Sequence, residues 1–547
     1  MKPGRYTEAM IRENIEKGYW DTPTMSEICD RNAELYADRE ALVDSRVRLT
    51  FSQMKLWMDR LALGLIDSGM MRDDVLLAQL SNNAEQYVLR FACEKAGIIS
   101  LPVRRSLGYA DIRDLLSISR ATGIVIPWRY HERDHFQEIQ DIRRSLPHLK
   151  NIYVVDDEVP QGAISIRTML DRDWENNFPA DFLAERRFNK TEVSWFGTTT
   201  GTTGVPKIIR YLAANRPVQG NGLVKRLKLT SEDTIAIMGP AIVGPNIPAY
   251  FGAPMVGAKV VTMENFQPEE ALKLVERERV TVFGGSPALL LGMTRHPNFD
   301  NYDHSSLRLI ICGGASVEYA IGLEIETKME CTVCQFFGAT DCGTAFFTSP
   351  EDPQDIRIGT AGNPLLGGWV KIIDTEGNPV PEGEVGEILM TGPAASDGYL
   401  GDDEANKAVW TDDGWFHTGD LGKVDKQGNL LHVGRIKDVI VRGGDNVSPS
   451  EIEHVIERHP KVSLVAVVGM PDPVMGQRVC AFVEPRAGQV FTFEEMLSFL
   501  REEGLRSYML PERLEIVDRM PISGEGKIYK RELVEQITGK LKAEGQI

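Results

Sequence analysis

The chain has 547 residues, more than one hydrophobic core commonly supports, and its 42% hydrophobic and 26% charged content describes a globular protein without low-complexity tracts. Lys and Arg number 61 against 79 Asp and Glu, and the net charge of −18 excludes nucleic acid as the main partner while leaving small anions open to capture by a local cationic site. No signal-peptide core follows Met1-Lys2-Pro3-Gly4-Arg5, no segment reaches the ~18 apolar residues of a membrane span, and seven scattered cysteines fit a reduced compartment, so a cytoplasmic protein is expected.

From about residue 30 to 350, amphipathic stretches alternate with short β-branched runs. Helices are predicted over 56–66, 85–96 and 268–279, and strands over 75–80, 234–238, 280–283 and 307–312. This alternation predicts layered α/β lobes with largely parallel sheets. Glycine-bearing loops are expected after the strands, at Gly239-Pro240, Gly284-Gly285, Gly313-Gly314 and Gly338, and should converge on one crevice at the strands' carboxyl ends. From about 369 to 433, short strands and turns such as Asp425-Lys426-Gln427-Gly428-Asn429 predict a small antiparallel β subdomain. After Arg435 a compact α+β unit is expected, with helices over 449–458 and 493–503 and strands over 465–468 and 479–483. The division is an N-terminal domain of 1–435 and a C-terminal domain of 436–547.

The run Thr198-Thr199-Thr200-Gly201-Thr202-Thr203-Gly204-Val205-Pro206-Lys207 has the chemistry of a phosphate loop. Its glycines let backbone N–H groups turn toward an anion, its hydroxyls add donors, and Lys207 adds charge. The spacing Gly-x-x-Gly-x-x-Lys is not that of the common ATPase P-loop. Phe337-Gly338-Ala339-Thr340-Asp341 joins a ring able to stack a base to a carboxylate able to hold Mg²⁺. Trp415-Phe416-His417-Thr418-Gly419-Asp420 ends in an acceptor for ribose hydroxyls. Gly434-Arg435-Ile436-Lys437, Gly443-Gly444 and Pro521-Ile522-Ser523-Gly524-Glu525-Gly526-Lys527 follow, the last offering a lysine on a glycine-flanked loop.

Two other patterns carry less. His131-Glu132-Arg133-Asp134-His135 matches a zinc-protease spacing, but its arginine-rich flanks read as a solvated helix face. Cys331-Thr332-Val333-Cys334 is a lone pair in an apolar run and reads as buried thiols of a core strand.

In this order the motifs resemble the adenylate-forming superfamily of acyl-CoA and aryl-CoA synthetases, aryl-acid adenylating enzymes, peptide-synthetase adenylation domains and firefly luciferases. The resemblance spans about residues 20 to 535 and is closest to the aryl-acid and aryl-CoA branch. It implies a mobile C-terminal domain and two steps: a carboxylic acid and ATP give acyl-AMP and pyrophosphate, then a thiol takes the acyl group and AMP leaves. Lys527 would bridge the acid and the α-phosphate. Thr199, Thr200, Gly201, Thr202, Thr203, Gly204 and Lys207 would hold the outer phosphates. Gly314, Ala315 and Phe337 would form the adenine slot, Gly338 and Ala339 would belong to the same ATP/AMP site, Thr340 would touch the α-phosphate, and Asp420 with Arg435 would clamp the ribose. Asp341 would carry Mg²⁺, Lys437 would be the hinge, and Gly443 and Gly444 would line the thiol tunnel.

The sequence departs from the family pattern at Asp341, where a glutamate is usual, and in Ala241-Ile242-Val243-Gly244, where a histidine or aromatic often follows the proline equivalent to Pro240. The expected acyl pocket, formed by Pro240, Ile242, Val243, Asn246, Gly313 and Phe336, is apolar, and no acid is there to grip an α-amino group. Asn246 is read either as a contact to a ring substituent or as an exposed loop amide. The leading expectation is an ATP-, Mg²⁺- and coenzyme A-dependent ligase for an aromatic, alicyclic or medium-chain acid, favoured because no carrier domain is attached. The alternatives are an aryl-acid AMP ligase that loads a separate carrier protein, and a nucleotide-binding regulator that has lost catalysis.

Overall fold

The structure is a computed structural model, and it describes residues 1–130, 132–156, 158–199, 206–239, 244–314, 319–522 and 528–547. Two large sheets dominate the first two thirds of the chain. One has nine strands, ordered Asn363–Pro364, Ala345–Phe347, Thr332–Gly338, Leu309–Gly313, Val282–Gly285, Thr234–Ile237, Lys259–Thr262, Glu40–Val43 and Arg48–Thr50, with its six central strands parallel. The other has seven, with Val75–Ala78 at its centre between the parallel strands Ile99–Pro102 and Gly123–Ile126.

The core divides by strand face. Leu76, Ala78 and Val125 of one sheet and Ile235, Val282 and Ile311 of the other face a shared interior filled by helices including Phe51–Asp67 and Ala84–Ala96. Their alternating neighbours, Leu77 and Ile124 on one side and Ala236, Phe283 and Ile310 on the other, pack against outer helices. The result is five layers in the order α, β, α, β, α, which is why these strands are buried on both faces. The central helix Ala84–Ala96 is capped by the Asn83 side chain, which accepts from the Gln86 N–H at 2.9 Å, and stops at Gly97 with φ of +67°.

Of the glycines predicted to follow the strands, Gly239 and Gly314 do, while Gly284, Gly285, Gly313 and Gly338 end them. Gly284 and Gly285 pair with Ile311 and Cys312, and Gly313 pairs with Phe336, because the parallel ladder extends to its last bonds before the chain turns away. A Cβ on Gly284 would meet the Pro245 carbonyl at 2.1 Å, so glycine there is what lets the 244–246 segment cross the sheet's carboxyl edge.

Residues 369–435 form the predicted antiparallel sheet, in the order Trp369–Ile373, Gly386–Thr391, Phe416–Val424 and Leu430–Arg435. Beyond it, Ile440–Arg442, Asp445–Val447, Val462–Asp472, Gly476–Pro485 and Arg513–Ile516 make a mixed sheet with helices Pro449–Ile456, Phe493–Glu502 and Lys530–Ala543 and hydrophobic clusters of its own. Cys334 lies in a core strand beside buried Cys331, and burial pushes both thiols up to about 12. His135 corrects the solvated-face reading. It is 2% exposed at the start of a helix capped by Asp134, and burial lowers its pKa; its partner in the motif, His131, lies outside the described residues.

Candidate active site

The base of the phosphate loop is closed by two hydrogen bonds: the Thr199 N–H donates to the Lys207 carbonyl at 3.1 Å, and the Lys207 N–H to the Thr199 hydroxyl at 3.2 Å. The loop therefore joins the antiparallel strands Val193–Thr198 and Ile208–Leu212. Lys207 Nζ lies 4.8 Å from the centre of the Tyr399 ring, and the Tyr399 hydroxyl donates to Asp341 Oδ1 at 2.8 Å. Lysine, ring and carboxylate thus form one line from the loop base to the segment after the strand Thr332–Gly338.

That segment is tied down from several sides. The Tyr211 hydroxyl donates to the Thr340 carbonyl, the Ser396 hydroxyl donates to the Asp341 carbonyl at 2.5 Å, and the Gly343 N–H closes a turn onto the Ala339 carbonyl at 2.8 Å. Gly338 and Thr340 remain exposed. Burial raises the Asp341 pKa, while the Tyr399 hydrogen bond and the charges of Lys207 and Arg435 pull it back down.

On the other side of the strand end, Phe337 lies against His432, ring centres 5.4 Å apart and planes 32° from parallel. Asp420 and Arg435 are directly opposed on the antiparallel strands Phe416–Val424 and Leu430–Arg435, with Arg435 Nε 3.1 Å from Asp420 Oδ1. Asp420 is 7% exposed, and its own N–H donates to the Thr418 hydroxyl at 3.0 Å. Gly314, with φ of +84°, turns the chain out of the neighbouring strand as glycine readily does.

A cation, a hydroxyl-held carboxylate, an exposed turn, a ring and a carboxylate–guanidinium pair therefore come together from three sheets, and their chemistry suits phosphate, metal, base and ribose. The AMP-binding enzyme family profile matches residues 29–400, and the AMP-binding enzyme C-terminal domain profile matches 451–527. The chain belongs to the adenylate-forming enzymes. This adenylate-forming enzyme is 32% identical over 546 residues to a salicylyl-CoA synthase / salicylate adenylyltransferase of Streptomyces sp., covering 96% of each chain. It is 29% identical over 541 residues to the 2,3-dihydroxybenzoate-AMP ligase of Bacillus subtilis, again covering 96% of each. Its fold superposes on the anthranilate CoA ligase AuaEII in complex with anthranoyl-AMP with a TM-score of 0.84 at 23% identity, over 96% of this chain and 99% of the other.

Adenylate-forming enzymes use ATP with Mg²⁺. A lone carboxylate fits that metal, which commonly keeps its waters and takes the rest of its ligands from phosphate oxygens. Asp341 is such a group: burial disfavours its charge, Tyr399 holds one oxygen, and a bound cation would offset the cost of ionisation.

On the side expected to take the acid, Phe336 stacks on Phe347 with ring centres 5.3 Å apart and fills the space that glycines at 244 and 313 leave; a Cβ at either would lie 2.5 Å or less from its ring. Asn246 is 2% exposed and donates to the Gly239 carbonyl at 3.3 Å, which removes the exposed-amide reading. Asn82 fixes the same Gly239 carbonyl at 2.7 Å. Lys437 is exposed in a short turn, Ile436–Asp438, between the antiparallel sheet and the C-terminal one, and Gly443 and Gly444 are exposed with φ of +58° and +98°.

Thr200, Gly201, Thr202, Thr203, Gly204, Pro240, Ile242, Val243, Ala315 and Lys527 lie outside the described residues. Sequence reasoning missed Tyr399, Tyr211, Ser396 and His432. Each reaches its partner across 55 to 129 residues of chain, where no local spacing signals it.

Proposed function

We propose that this enzyme is an acid–thiol ligase that activates a compact aromatic carboxylic acid as its acyl-adenylate and transfers the acyl group to coenzyme A. The observation that carries the reading is the Asp341 carboxylate, which lies in the fields of both Lys207 on the phosphate side and Arg435 on the ribose side. A nucleotide spanning those two cations would bring its α-phosphate to the exposed Thr340 turn between them.

In this reading Lys207 and the Thr/Gly loop hold the outer phosphates, Phe337 and Gly314 flank the base, and Asp420 accepts from the ribose hydroxyls while Arg435 fixes its position. Mg²⁺ held by Asp341 would supply charge neutralisation at the phosphates. The acid's carboxylate oxygen attacks the α-phosphorus and the bond to pyrophosphate breaks, with Lys527 placed to stabilise the charge that develops. The thiol then attacks the acyl carbon and AMP departs, with rotation about Lys437 exchanging the Lys527 loop for the Gly443-Gly444 loop.

A compact ring is favoured over a medium chain by the packing of Phe336 on Phe347 and against the glycines at 244 and 313. The salicylate and dihydroxybenzoate named for the relatives agree with this. Loading of a carrier protein is the second reading, favoured because one relative, 29% identical, is a salicyl-AMP ligase / salicyl-S-ArCP synthetase of Mycobacterium tuberculosis.

The test is pyrophosphate and AMP release with ATP, Mg²⁺ and benzoic, hydroxybenzoic, alicyclic and straight-chain acids, each with and without CoA. AMP turnover that needs both one aromatic acid and CoA is expected; pyrophosphate release indifferent to CoA would favour the carrier protein, and silence with every acid would favour the regulator. Lys527→Ala should abolish adenylate formation and leave thiolysis of a supplied acyl-adenylate largely intact. Equal loss of both would overturn the two-pose scheme.

A further inference from the structure

The helix layer between the two large sheets holds two arginines in aromatic surroundings. The guanidinium carbon of Arg90, on the helix Ala84–Ala96, lies 4.1 Å from the Trp195 ring centre and 4.3 Å from that of Phe251. That of Arg216, on the helix Asn215–Leu227, lies 3.6 Å from Tyr211 and 4.1 Å from the same Trp195 ring. Ring faces offset part of the cost of burying a cation, but they accept no N–H hydrogen bonds of normal strength.

Arg216 finds Gln219 Oε1 at 2.8 Å and the Tyr211 hydroxyl. Arg90 makes no hydrogen bond and no ion pair among the described residues. The carboxylate in its field, Glu94, stands one helical turn away, already accepts from the Ser26 N–H at 2.7 Å, and has its own charge disfavoured by burial. Burial, with Arg216 as a positive neighbour, brings the Arg90 pKa down to about 9.

Beside Arg90 is a cavity of about 30 Å³ whose polar lining is Arg90, Gln86, Ser100, Trp195 and Tyr250, with Ile247 and Phe251 on its apolar side. The Trp195 indole N–H is buried without an acceptor, and Gln86, 6% exposed, has a side-chain oxygen without a partner. Amide nitrogen and oxygen exchange on a half-turn of the side chain, so Gln86 can present a donor as readily. Indole, guanidinium, hydroxyl and amide make a lining rich in donors, and no carboxylate is part of it. The volume exceeds the ~10–15 Å³ that a cavity needs to hold a water, and is well below the ~150 Å³ of a cavity that takes an aromatic ring. A water there would satisfy donors but leave the charge of Arg90 uncompensated; a monatomic anion does both.

We propose that this cavity is a binding site for one small monovalent anion of halide size, held by Arg90, the Trp195 indole N–H and Ser100. The anion is structural. Its apolar wall, Ile247 and Phe251, continues the segment whose first residue, Gly244, packs on Phe336, so the site braces the acyl side of the crevice from behind. The inference does not depend on which acid or thiol the enzyme uses.

The experiment is thermal unfolding of the full chain in sodium chloride or bromide against sodium gluconate, an anion too large for the cavity, at equal ionic strength. Melting about 3 °C higher in the halides is expected, with a saturable concentration dependence. Arg90→Met, close in length and uncharged, should melt at one temperature in all three salts. Should that variant fail to fold, Trp195→Phe, which removes only the N–H donor and part of the ring, should raise the half-effect halide concentration about tenfold. Crystals grown in bromide should show the ion's anomalous signal in the cavity. Equal melting of the unmodified protein in halide and gluconate, a halide effect that survives Arg90→Met unchanged, or bromide found only at the surface would each overturn the proposal.

Discussion

Two carboxylates bracket the proposed nucleotide crevice, and the fold maintains them in opposite ways. Asp420 sits opposite Arg435 on an antiparallel pair, 3.1 Å from a permanent cation, so it is held and aimed without help from a ligand. Asp341 has no cation within ion-pair distance among the described residues; a neutral hydroxyl holds it, and burial works against its charge. A carboxylate of the first kind suits neutral ribose hydroxyls, which need only a fixed acceptor. One of the second kind suits a cation that arrives with the substrate, because the charge it brings is the charge the site lacks.

If that contrast is right, Asp341→Asn should cost most: ATP–pyrophosphate exchange should fall on the order of 10²- to 10³-fold, with a higher Mg²⁺ concentration for half-maximal rate. An unchanged Mg²⁺ dependence would break the comparison at its metal end. Asp420→Asn should raise the KM for ATP about 10- to 100-fold while flattening the discrimination between ATP and 2′,3′-dideoxy-ATP. Wild-type enzyme that fails to discriminate between those two nucleotides would break the ribose end.

Tyr399→Phe removes one hydrogen bond from Asp341 and leaves the ring under Lys207, so a loss of about tenfold in kcat/KM is expected, concentrated at subsaturating Mg²⁺. A uniform loss at all Mg²⁺ concentrations would place the role of Tyr399 elsewhere.

Glu278 extends the Asp420 pattern away from the crevice. It is 4% exposed, Arg48 and Lys259 approach it at 2.9 Å, and together they bring its pKa down to about 2. Because the folded value lies below the unfolded one of about 4.3, its stabilisation is fully present above that pH and is lost as pH falls toward 2. Glu278→Gln should leave activity at pH 7 unchanged, lower stability there by about 1 kcal/mol since its cationic partners are partly solvated, and lose less on acidification; urea unfolding at pH 7 and pH 3 reads both effects.

The motifs were legible because each is a local composition tied to one chemistry: threonine and glycine around phosphate, an aromatic before a carboxylate, an aspartate closing a strand. The alternation of helix and strand was legible for the same reason, since burial on one or two faces writes its period into the chain. Strand ends were less so: ladder bonds to neighbours carried Gly284, Gly285 and Gly313 into strands where composition alone suggested loops. His135 read as solvated because its flanks are charged, yet the packing of its helix buried it.

By itself the sequence determined the family and the α/β class, and it nominated the side chains proposed to carry the chemistry, because these follow from residue type and short-range order. Tertiary structure alone decided how the side chains are held: that Asp341 answers to Tyr399 from 58 residues away, that Asp420 faces Arg435 across a ladder, and that Arg90 and Arg216 share one indole inside the protein. Those pairings depend on strand register and on the layering of two sheets about a common helix layer, and register is fixed by long-range burial that no local spacing encodes.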